Sequence, residues 1–346
     1  GESGTYTPER ITGALRPLAR QVDRQIDWKH DNTECVLRKI RSADGQPGVL
    51  DRVRGQECYL YDAHPANHMS GAPGEIIGTC NGAVCRATTD GAVWIGHLRT
   101  KATDNPLSFK LPATAVLSGG LEGLPEVDSG YNEILYREAG SVGYLYFPFY
   151  NGAMSVRQCQ ALRDMIVAAR ERPTNVLCLM GGKEFWSNGL NLNVIEADER
   201  PAEASWENIN AMNDVVRELI LTTDKVTVAA MQGNAGAGGV FLALAADRVI
   251  AREGIIMNPH YKNMGNLYGS EYWTYLLPKR SEAGAAIMER RLPIGAPEAK
   301  AAGLVDMLLG SEGFETDLRV YVAELALASE DLIKTKQIRR REDEAE

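Results

Sequence analysis

Two stretches of this chain decide its fold. The first is Met180-Gly-Gly-Lys-Glu-Phe-Trp-Ser-Asn-Gly-Leu-Asn-Leu-Asn193. The second is Ala230-Met-Gln-Gly-Asn-Ala-Gly-Ala-Gly-Gly-Val-Phe-Leu-Ala-Leu-Ala-Ala-Asp247. In both, an apolar run that reads as a buried strand (175–180 and 226–230) empties into glycines. In the second, the glycines open an apolar helix over 233–246. Amides freed at such a turn attract an anion or a developing oxyanion. Two such loops facing each other would form a two-amide oxyanion hole. Read alone, each loop is more simply a tight strand-to-helix turn, with glycine supplying positive φ. A dinucleotide-binding turn fits poorly, because the second loop lacks the later acidic residue that should meet a ribose.

Around these loops strand and helix alternate, an α/β signature. Residues 133–137 and 142–147 read as paired strands. Ser155, with Gln158 three residues on, is a capping box. It opens a helix whose buried stripe is Val156, Cys159, Leu162, Ile166 and Ala169. A helix over 205–222 is expected to turn Trp206, Ile209, Met212, Val216 and Leu219 inward. A last helix over 312–341 carries Phe314, Leu318, Tyr321, Val322 and Leu325 on one face, and 339–346 is a charged tail.

The region before 112 has another texture. A helix over 34–41 is stopped by Gly45, Pro47 and Gly48. Short runs at 58–61, 75–80, 84–88 and 93–98 are bounded by turn residues, as strands of a small β-barrel would be. Residues 1–31 read as a polar arm with a short helix near 13–25. The glycines and proline over 119–130 read as a linker. The expected domains are an arm over 1–31, a barrel over 32–118 and an α/β domain over 130–346.

Composition narrows the function classes. Of 346 residues, 44% are hydrophobic and 24% charged, which excludes disorder as the overall state. Lys+Arg number 37 against 46 Asp+Glu, a net charge of −9 that argues against a general nucleic-acid binder. No apolar run approaches the roughly 18 residues of a membrane span, and no secretory signal is visible. Cys35, Cys58, Cys80, Cys85, Cys159 and Cys178 form no CxxC pair and read as thiols of a reducing cytoplasm. His64 and His68 with Asp62 have metal-like spacing, but Pro65 and Gly71 make the segment a loop and no metal is expected. His97, beside Trp94 in a strand, reads as structural.

Phe185-Trp-Ser-Asn-Gly-Leu-Asn191 and Gln232-Gly-Asn-Ala-Gly-Ala-Gly-Gly239 resemble the two loops of the crotonase (enoyl-CoA hydratase/isomerase) superfamily, over residues 130–330. The resemblance implies an acyl-coenzyme A thioester held by the amides of Leu190 and Gly238. It places the adenine near the first loop, at Gly182, Lys183, Phe185, Trp186 and Ser187. The two glutamates of the family's hydratases are replaced by Phe241 and His260. Water addition needs two positioned acid/base groups, so hydration of an enoyl thioester is not expected.

A closer resemblance lies in Asn258-Pro-His-Tyr-Lys-Asn-Met-Gly-Asn-Leu-Tyr-Gly-Ser-Glu-Tyr-Trp-Thr-Tyr-Leu-Leu-Pro278, Phe149-Tyr-Asn-Gly-Ala-Met154 and Phe185-Trp-Ser-Asn-Gly189. These are similar to the HypX/HoxX family of nickel–iron hydrogenase maturation. Trp28, Ile40-Arg-Ser-Ala-Asp-Gly-Gln-Pro-Gly48 and Val93-Trp-Ile-Gly-His97 resemble the formyltransferase C-terminal barrel those proteins contain. Their formyltetrahydrofolate-binding catalytic domain has no counterpart here, so a fragment or a short form is expected. The resemblance implies decarbonylation of formyl-coenzyme A to carbon monoxide and coenzyme A, for the carbonyl ligand of the hydrogenase iron. Partners would be a formyltetrahydrofolate-dependent domain or protein and other hydrogenase maturation proteins, all in the cytoplasm.

Such chemistry moves one proton from carbon to sulfur, so one shuttle suffices. The candidates are His260, Tyr261, Tyr268 and Glu271. Glu271 and Tyr261 are preferred, with His260 aiding position or polarity, because Glu271 is the only carboxylate between Gly254 and Leu277. Glu271 is expected at the start of a helix that Pro278 ends, where a first-turn carboxylate needs no further role. Lys183, Lys262, Lys279 and Arg280 could meet coenzyme A phosphates, although surface charge is the plainer reading of any one. The rivals are a hydratase or hydrolase of another acyl thioester, or a coenzyme A-binding module without catalysis, which Phe241 favours.

Overall fold

The computed structural model describes residues 14, 16–101, 108–128, 130–261 and 269–345. The contacts divide the chain into two units, up to Tyr131 and from Asn132 onward.

In the first unit, Asn32 caps helix α1 (Thr33–Arg41) by accepting from Cys35 N, and Val36 and Ile40 fall on its buried side. Six strands follow: β1 (Val49–Val53), β2 (Gln56–Pro65), β3 (Ile76–Cys80), β4 (Ala83–Ala87), β5 (Ala92–Thr100) and β6 (Leu111–Pro112). A short helix, α2 (Ala113–Val116), comes next. The strands pair in the order β1-β2-β5-β4-β3, with β6 on β5. The barrel curls far enough for Arg86 of β4 to pass two strands and meet Asp51 of β1 at 2.5 Å. Trp28 completes that clasp. Its indole donates to Asp51 at 2.9 Å and its ring lies 3.9 Å beneath the guanidinium.

The segment expected as a linker over 119–130 is bonded into this unit instead. Thr79 N donates to Pro125 O at 3.0 Å, Val127 N donates to Thr79 O at 2.8 Å, and Leu121 and Leu124 pack on the barrel core. The helix expected near 13–25 is a single 3-10 turn, Gln21–Arg24, and Gly13 lies outside the described residues. Gln21 ties this stretch to β1, donating to Gly48 O and accepting from Leu50 N, both at 3.0 Å.

Asp62 interrupts β2 with φ 59. Its carboxylate folds over Gly96, where an added Cβ would lie 2.1 Å from Oδ2. It accepts from His64 Nε2 at 2.7 Å, His97 Nδ1 at 3.0 Å and Tyr131 OH at 2.6 Å. Burial would raise this carboxyl, but the bonds from His64 and His97 outweigh burial and hold it well below the usual range. Among the described residues, no group of three or more His, Cys, Asp or Glu is placed to hold a metal.

The second unit opens on an antiparallel pair, β7 (Leu135–Ala139) and β8 (Val142–Tyr146), and a short β9 (Ala153–Met154). Helix α3 (Val156–Arg170) has the expected capping box between Ser155 and Gln158, a device that contributes about 1 kcal/mol. The chain then passes through β10 (Val176–Met180), β11 (Phe185–Ser187), β12 (Gly189–Leu190), α4 (Leu192–Glu196) and α5 (Pro201–Leu221). A second pass makes β13 (Val226–Met231), β14 (Asn234–Gly236) and α6 (Gly238–Leu244), and a third makes β15 (Arg248–Arg252) and β16 (Ile256–Asn258). The remainder is α7 (Trp273–Arg280), α8 (Gly284–Arg290), β17 (Ile294–Gly295), α9 (Ala296–Ala301), β18 (Met307–Leu309), α10 (Phe314–Leu327) and α11 (Ser329–Ala345).

The main sheet runs β18-β15-β13-β10-β8-β7, parallel except at β7, and a small sheet runs β11-β14-β16-β17. Each pass leaves one strand in each sheet, and for the first two passes a glycine-bearing turn makes the step between them. The main strands β10 and β13 are buried along their whole length. They carry apolar residues on both faces because α3, α5 and α6 cover one face and α10 the other.

Three helix expectations change. Trp206, expected inward, is 67% exposed. It lies six positions before Met212, about a third of a turn off the buried stripe. Ser205, Asn208, Ala211, Met212, Val215, Val216 and Leu219 are the buried residues of α5. The single terminal helix is two, α10 and α11, parted at Ala328. Pro278 does not end its helix but sits inside α7, which runs on to Arg280. Among the described residues, no helix is long and apolar enough to cross a membrane.

Candidate active site

The two glycine loops meet backbone to backbone. A Cβ on Gly239 would lie 1.9 Å from the Ser187 carbonyl oxygen, and one on Gly189 would lie 3.4 Å from Gly238 N. Trp186 Nε1 donates to Gly239 O at 2.9 Å, closing the seam from the core side. Leu190 and Gly238 are therefore brought to the same seam. Ala237, just before Gly238, has φ 43 and ψ −118. That is a conformation disfavoured for a residue with a side chain. Its N–H donates to Asn258 O at 2.9 Å. As the first residue of α6, Gly238 has an N–H with no acceptor inside its own helix.

Glu271 fills the side-chain space of Gly238. A Cβ on Gly238 would lie 2.5 Å from Glu271 Cδ and 2.6 Å from Oε1, so only glycine leaves the carboxylate its place. Tyr261 OH donates to Glu271 Oε2 at 2.6 Å. Gly269 makes room for the Tyr261 ring, since a Cβ there would lie 2.1 Å from Cε2. Phe241 stacks on Tyr261 with centroids 5.5 Å apart and planes 14° from parallel, and Trp273 lies 6.5 Å from Phe241. Phe241 is fully buried and brings no acid or base.

Glu271 is not where the helix reading put it. Glu271 and Tyr272 both have φ 54, and α7 starts only at Trp273. The carboxylate therefore precedes the helix on a left-handed turn, and a helix dipole does not account for it. Glu271 is 1% exposed. Burial pushes its carboxyl up from the ordinary value, against the bonds from Tyr261 and Ser270. Burial, and then the neighbouring carboxylate, push the Tyr261 phenol up strongly. Tyr261 therefore stays a donor, while Glu271 keeps its proton to a higher pH than an ordinary glutamate. Cys159 is buried nearby and its thiol is pushed up to about 12 by burial, with the Glu271 charge adding, so it is no nucleophile.

The other candidates fall in different places. His260 is half-buried, and its N–H donates to Asn258 O at 2.9 Å. Trp186 and Ser187 are buried side chains, so toward a ligand they offer backbone only. Phe185 and Gly182 are half-buried and Lys183 is exposed. Lys279 lies 4.3 Å over the Tyr275 ring, and Arg280 is paired with Asp306 at 2.8 Å. Lys262 and Tyr268 lie outside the described residues. One side chain that sequence reasoning missed is Asn213 of α5, whose Oδ1 accepts from Glu271 N at 2.7 Å. No local pattern marks it, since it stands on a helix among ordinary amphipathic positions.

Comparison with known proteins identifies the families of both units. The enoyl-CoA hydratase/isomerase family matches residues 150–342. The formyl transferase C-terminal domain matches residues 19–109. The hydrogenase maturation factor HoxX of Bradyrhizobium diazoefficiens is 52% identical over 357 residues, covering all of this chain and 62% of that protein. The crystal structure of HypX from Aquifex aeolicus in complex with tetrahydrofolic acid superposes with a TM-score of 0.89 at 46% identity, over 93% of this chain and 59% of that one. This chain thus spans about three fifths of the length of these relatives. An enoyl-CoA hydratase from Bacillus halodurans, at 20% identity and a TM-score of 0.53 over 60% of this chain and 86% of that one, shares the fold alone. With its family match spanning more than half its length, the chain belongs to the enoyl-CoA hydratase/isomerase family, joined here to a formyltransferase C-terminal domain as in HypX and HoxX.

Proposed function

We propose that the second unit decarbonylates formyl-coenzyme A to carbon monoxide and free coenzyme A. The observation that carries this reading is the Glu271 carboxylate, lodged over Gly238 and bonded to Tyr261 OH at 2.6 Å. By the resemblance of the loops, Phe241 and His260 would stand where the family's hydratases carry their two glutamates. The thioester oxygen would be received by the Leu190 and Gly238 amides, which stabilise charge as it develops there. Glu271 would take the formyl proton while the C–S bond breaks toward sulfur. The carbon keeps its lone pair and leaves as carbon monoxide. The thiolate recovers one proton through Glu271 and Tyr261, with His260 setting the polarity beside them. Nothing is oxidised or reduced, and no metal is needed.

The adenine would lie by Gly182, Lys183 and Phe185, with Trp186 and Ser187 contributing through their backbone. The relatives named for hydrogenase maturation support delivery of the carbon monoxide to a hydrogenase iron, in the cytoplasm. The tetrahydrofolate complex of a relative supports a formyltetrahydrofolate-dependent domain or protein as the source of the formyl group.

The test is to supply the chain with formyl-coenzyme A and trap the gas on haemoglobin. Carbon monoxide should appear, and it should not appear with Glu271→Gln. A folded sample that binds coenzyme A and releases no carbon monoxide would overturn the reading. So would hydration of crotonyl-coenzyme A at about 1 per second or more.

A further inference from the structure

The position of the Glu271 carboxylate depends on a backbone that does not favour it. Residues 271 and 272 both take the left-handed conformation, which side chains beyond glycine disfavour. The helix that follows holds Tyr272 through its carbonyl, which accepts from Tyr275 N at 3.0 Å and Leu276 N at 2.9 Å. Its N-cap is Tyr272, which offers no side-chain cap. Within the turn, Trp273 N donates to Ser270 O at 3.2 Å. Among the described residues, the bond that reaches the Glu271 backbone from elsewhere in the fold comes from α5, where Asn213 Oδ1 accepts the Glu271 N–H at 2.7 Å. On the far side, Tyr261 and Gly238 meet the carboxylate itself.

We infer that Asn213 is the positioning residue of this site: by accepting the Glu271 N–H it keeps residue 271 left-handed, and that turn aims the carboxylate at Gly238 and Tyr261. A strained conformation persists only where its surroundings over-determine it. Here Asn213 holds the backbone, and Tyr261, Ser270 and Gly238 surround the carboxylate. Removing the backbone contact lets residue 271 relax toward ordinary φ, which swings its Cβ and takes the carboxylate off the seam. Asn213 touches no reacting atom and acts only through Glu271.

The inference rests on the functional reading above for its activity readout and on Glu271 itself for the rest. Exchange of the Glu271 amide and carbon monoxide release are compared in the unmodified chain, Asn213→Ala and Asn213→Asp. Asn213→Ala should speed the exchange and lower kcat about a hundredfold, as an ångström of misplacement can, with KM for formyl-coenzyme A unchanged. Asn213→Asp, which keeps an acceptor oxygen, should restore both. Should Asn213→Ala not fold, Asn213→Leu, closer in volume and without an acceptor, replaces it. A kcat held within about threefold in folded variant, with only thermal stability lost, overturns the positioning role. Unchanged exchange at residue 271 also overturns it.

A last arm needs no turnover. The infrared band of the Glu271 carboxyl, assigned by its loss in Glu271→Gln, should shift in Asn213→Ala and return in Asn213→Asp. If the chain releases no carbon monoxide, the functional reading fails, and this band and the exchange of the Glu271 amide decide. A shift sustains the role of Asn213, and an unmoved band overturns it.

Discussion

Asp62 of the first unit and Glu271 of the second are both carboxylates on left-handed backbone, φ 59 and 54, and each lies against a glycine that leaves it room, Gly96 and Gly238. Their partners differ. Asp62 accepts from two imidazoles and a phenol. Glu271 accepts from the neutral phenol of Tyr261 and from its neighbour Ser270. Burial acts on both in the same direction, yet the first carboxyl ends below its ordinary range and the second above it. The difference teaches that burial alone does not make a working carboxylate. One saturated with donors is locked as an anion and serves the fold, whereas one left under-compensated holds its proton to higher pH than an ordinary carboxylate.

The largest effect that would break this comparison lies at Glu271. Glu271→Gln should cut carbon monoxide release by about a hundred- to ten-thousand-fold, the usual worth of a positioned acid or base. Coenzyme A affinity measured by calorimetry should stay nearly constant. Tyr261→Phe should fall in the same direction. If each variant keeps more than about a tenth of the rate, the proton travels elsewhere and His260 becomes the next candidate.

Gly238→Ala tests the glycine rather than the acid. The added Cβ enters the space of the Glu271 carboxyl. The expected loss is about a hundred- to a thousandfold in kcat, comparable to losing one oxyanion donor. Circular dichroism must first show the variant folded. Unchanged turnover would mean that the seam between the loops does not hold the reacting carbonyl.

Asp62→Asn should act on stability alone. Removing one member of a buried charged cluster costs about 3 kcal/mol. Urea unfolding followed through Trp94 and Trp28 should show it in the first unit, while carbon monoxide release stays unchanged. A loss of turnover in the folded variant would show that Asp62 is more than a structural anion.

The smallest effects sharpen the contrast through pH. Asp62 has its folded value depressed, so its stability contribution is present above about pH 4 and is lost as pH falls through the folded value. Glu271 has its folded value raised, so its contribution is present below about pH 4 and is lost as pH rises through the folded value. Glu271 therefore leaves its unit less stable at neutral pH than below about pH 4. Glu271→Gln should raise the Tm by about 2–4 °C at pH 7, opposite in sign to Asp62→Asn. A lowered Tm would mean that the bond from Tyr261 outweighs burial. Carbon monoxide release should also fall on the acid side at a pH above the ordinary glutamate value of about 4.3.

Much of the fold is legible because its signals are local. Ser155 and Gln158 complete a cap within one turn, and strands such as 226–230 announce themselves by an unbroken apolar run. The readings that changed each needed a distant contact. Trp206 looks like core by type, but Asn208 holds the inward place by donating to Met154 O at 3.0 Å. Glycine and proline over 119–130 do signal turns. That those turns pack on the barrel depends on Thr79, more than forty positions earlier, bonding to Pro125 and Val127. Glu271 stands out as the single carboxylate of its stretch, yet nothing beside it in sequence marks Asn213, 58 residues away.

The sequence by itself determined the alternation of strands and helices, the two glycine loops and the single carboxylate between Gly254 and Leu277. These follow from periodicity, caps and glycine, which act over a few neighbouring residues. Tertiary structure alone decided that the loops touch, that Gly238 must be glycine because a carboxylate occupies its side-chain space, and that Glu271 is left-handed rather than helical. The physical reason is that a left-handed glutamate is locally unfavourable. It exists only because Asn213, Tyr261 and Gly238, from three separate stretches of chain, close around it at once.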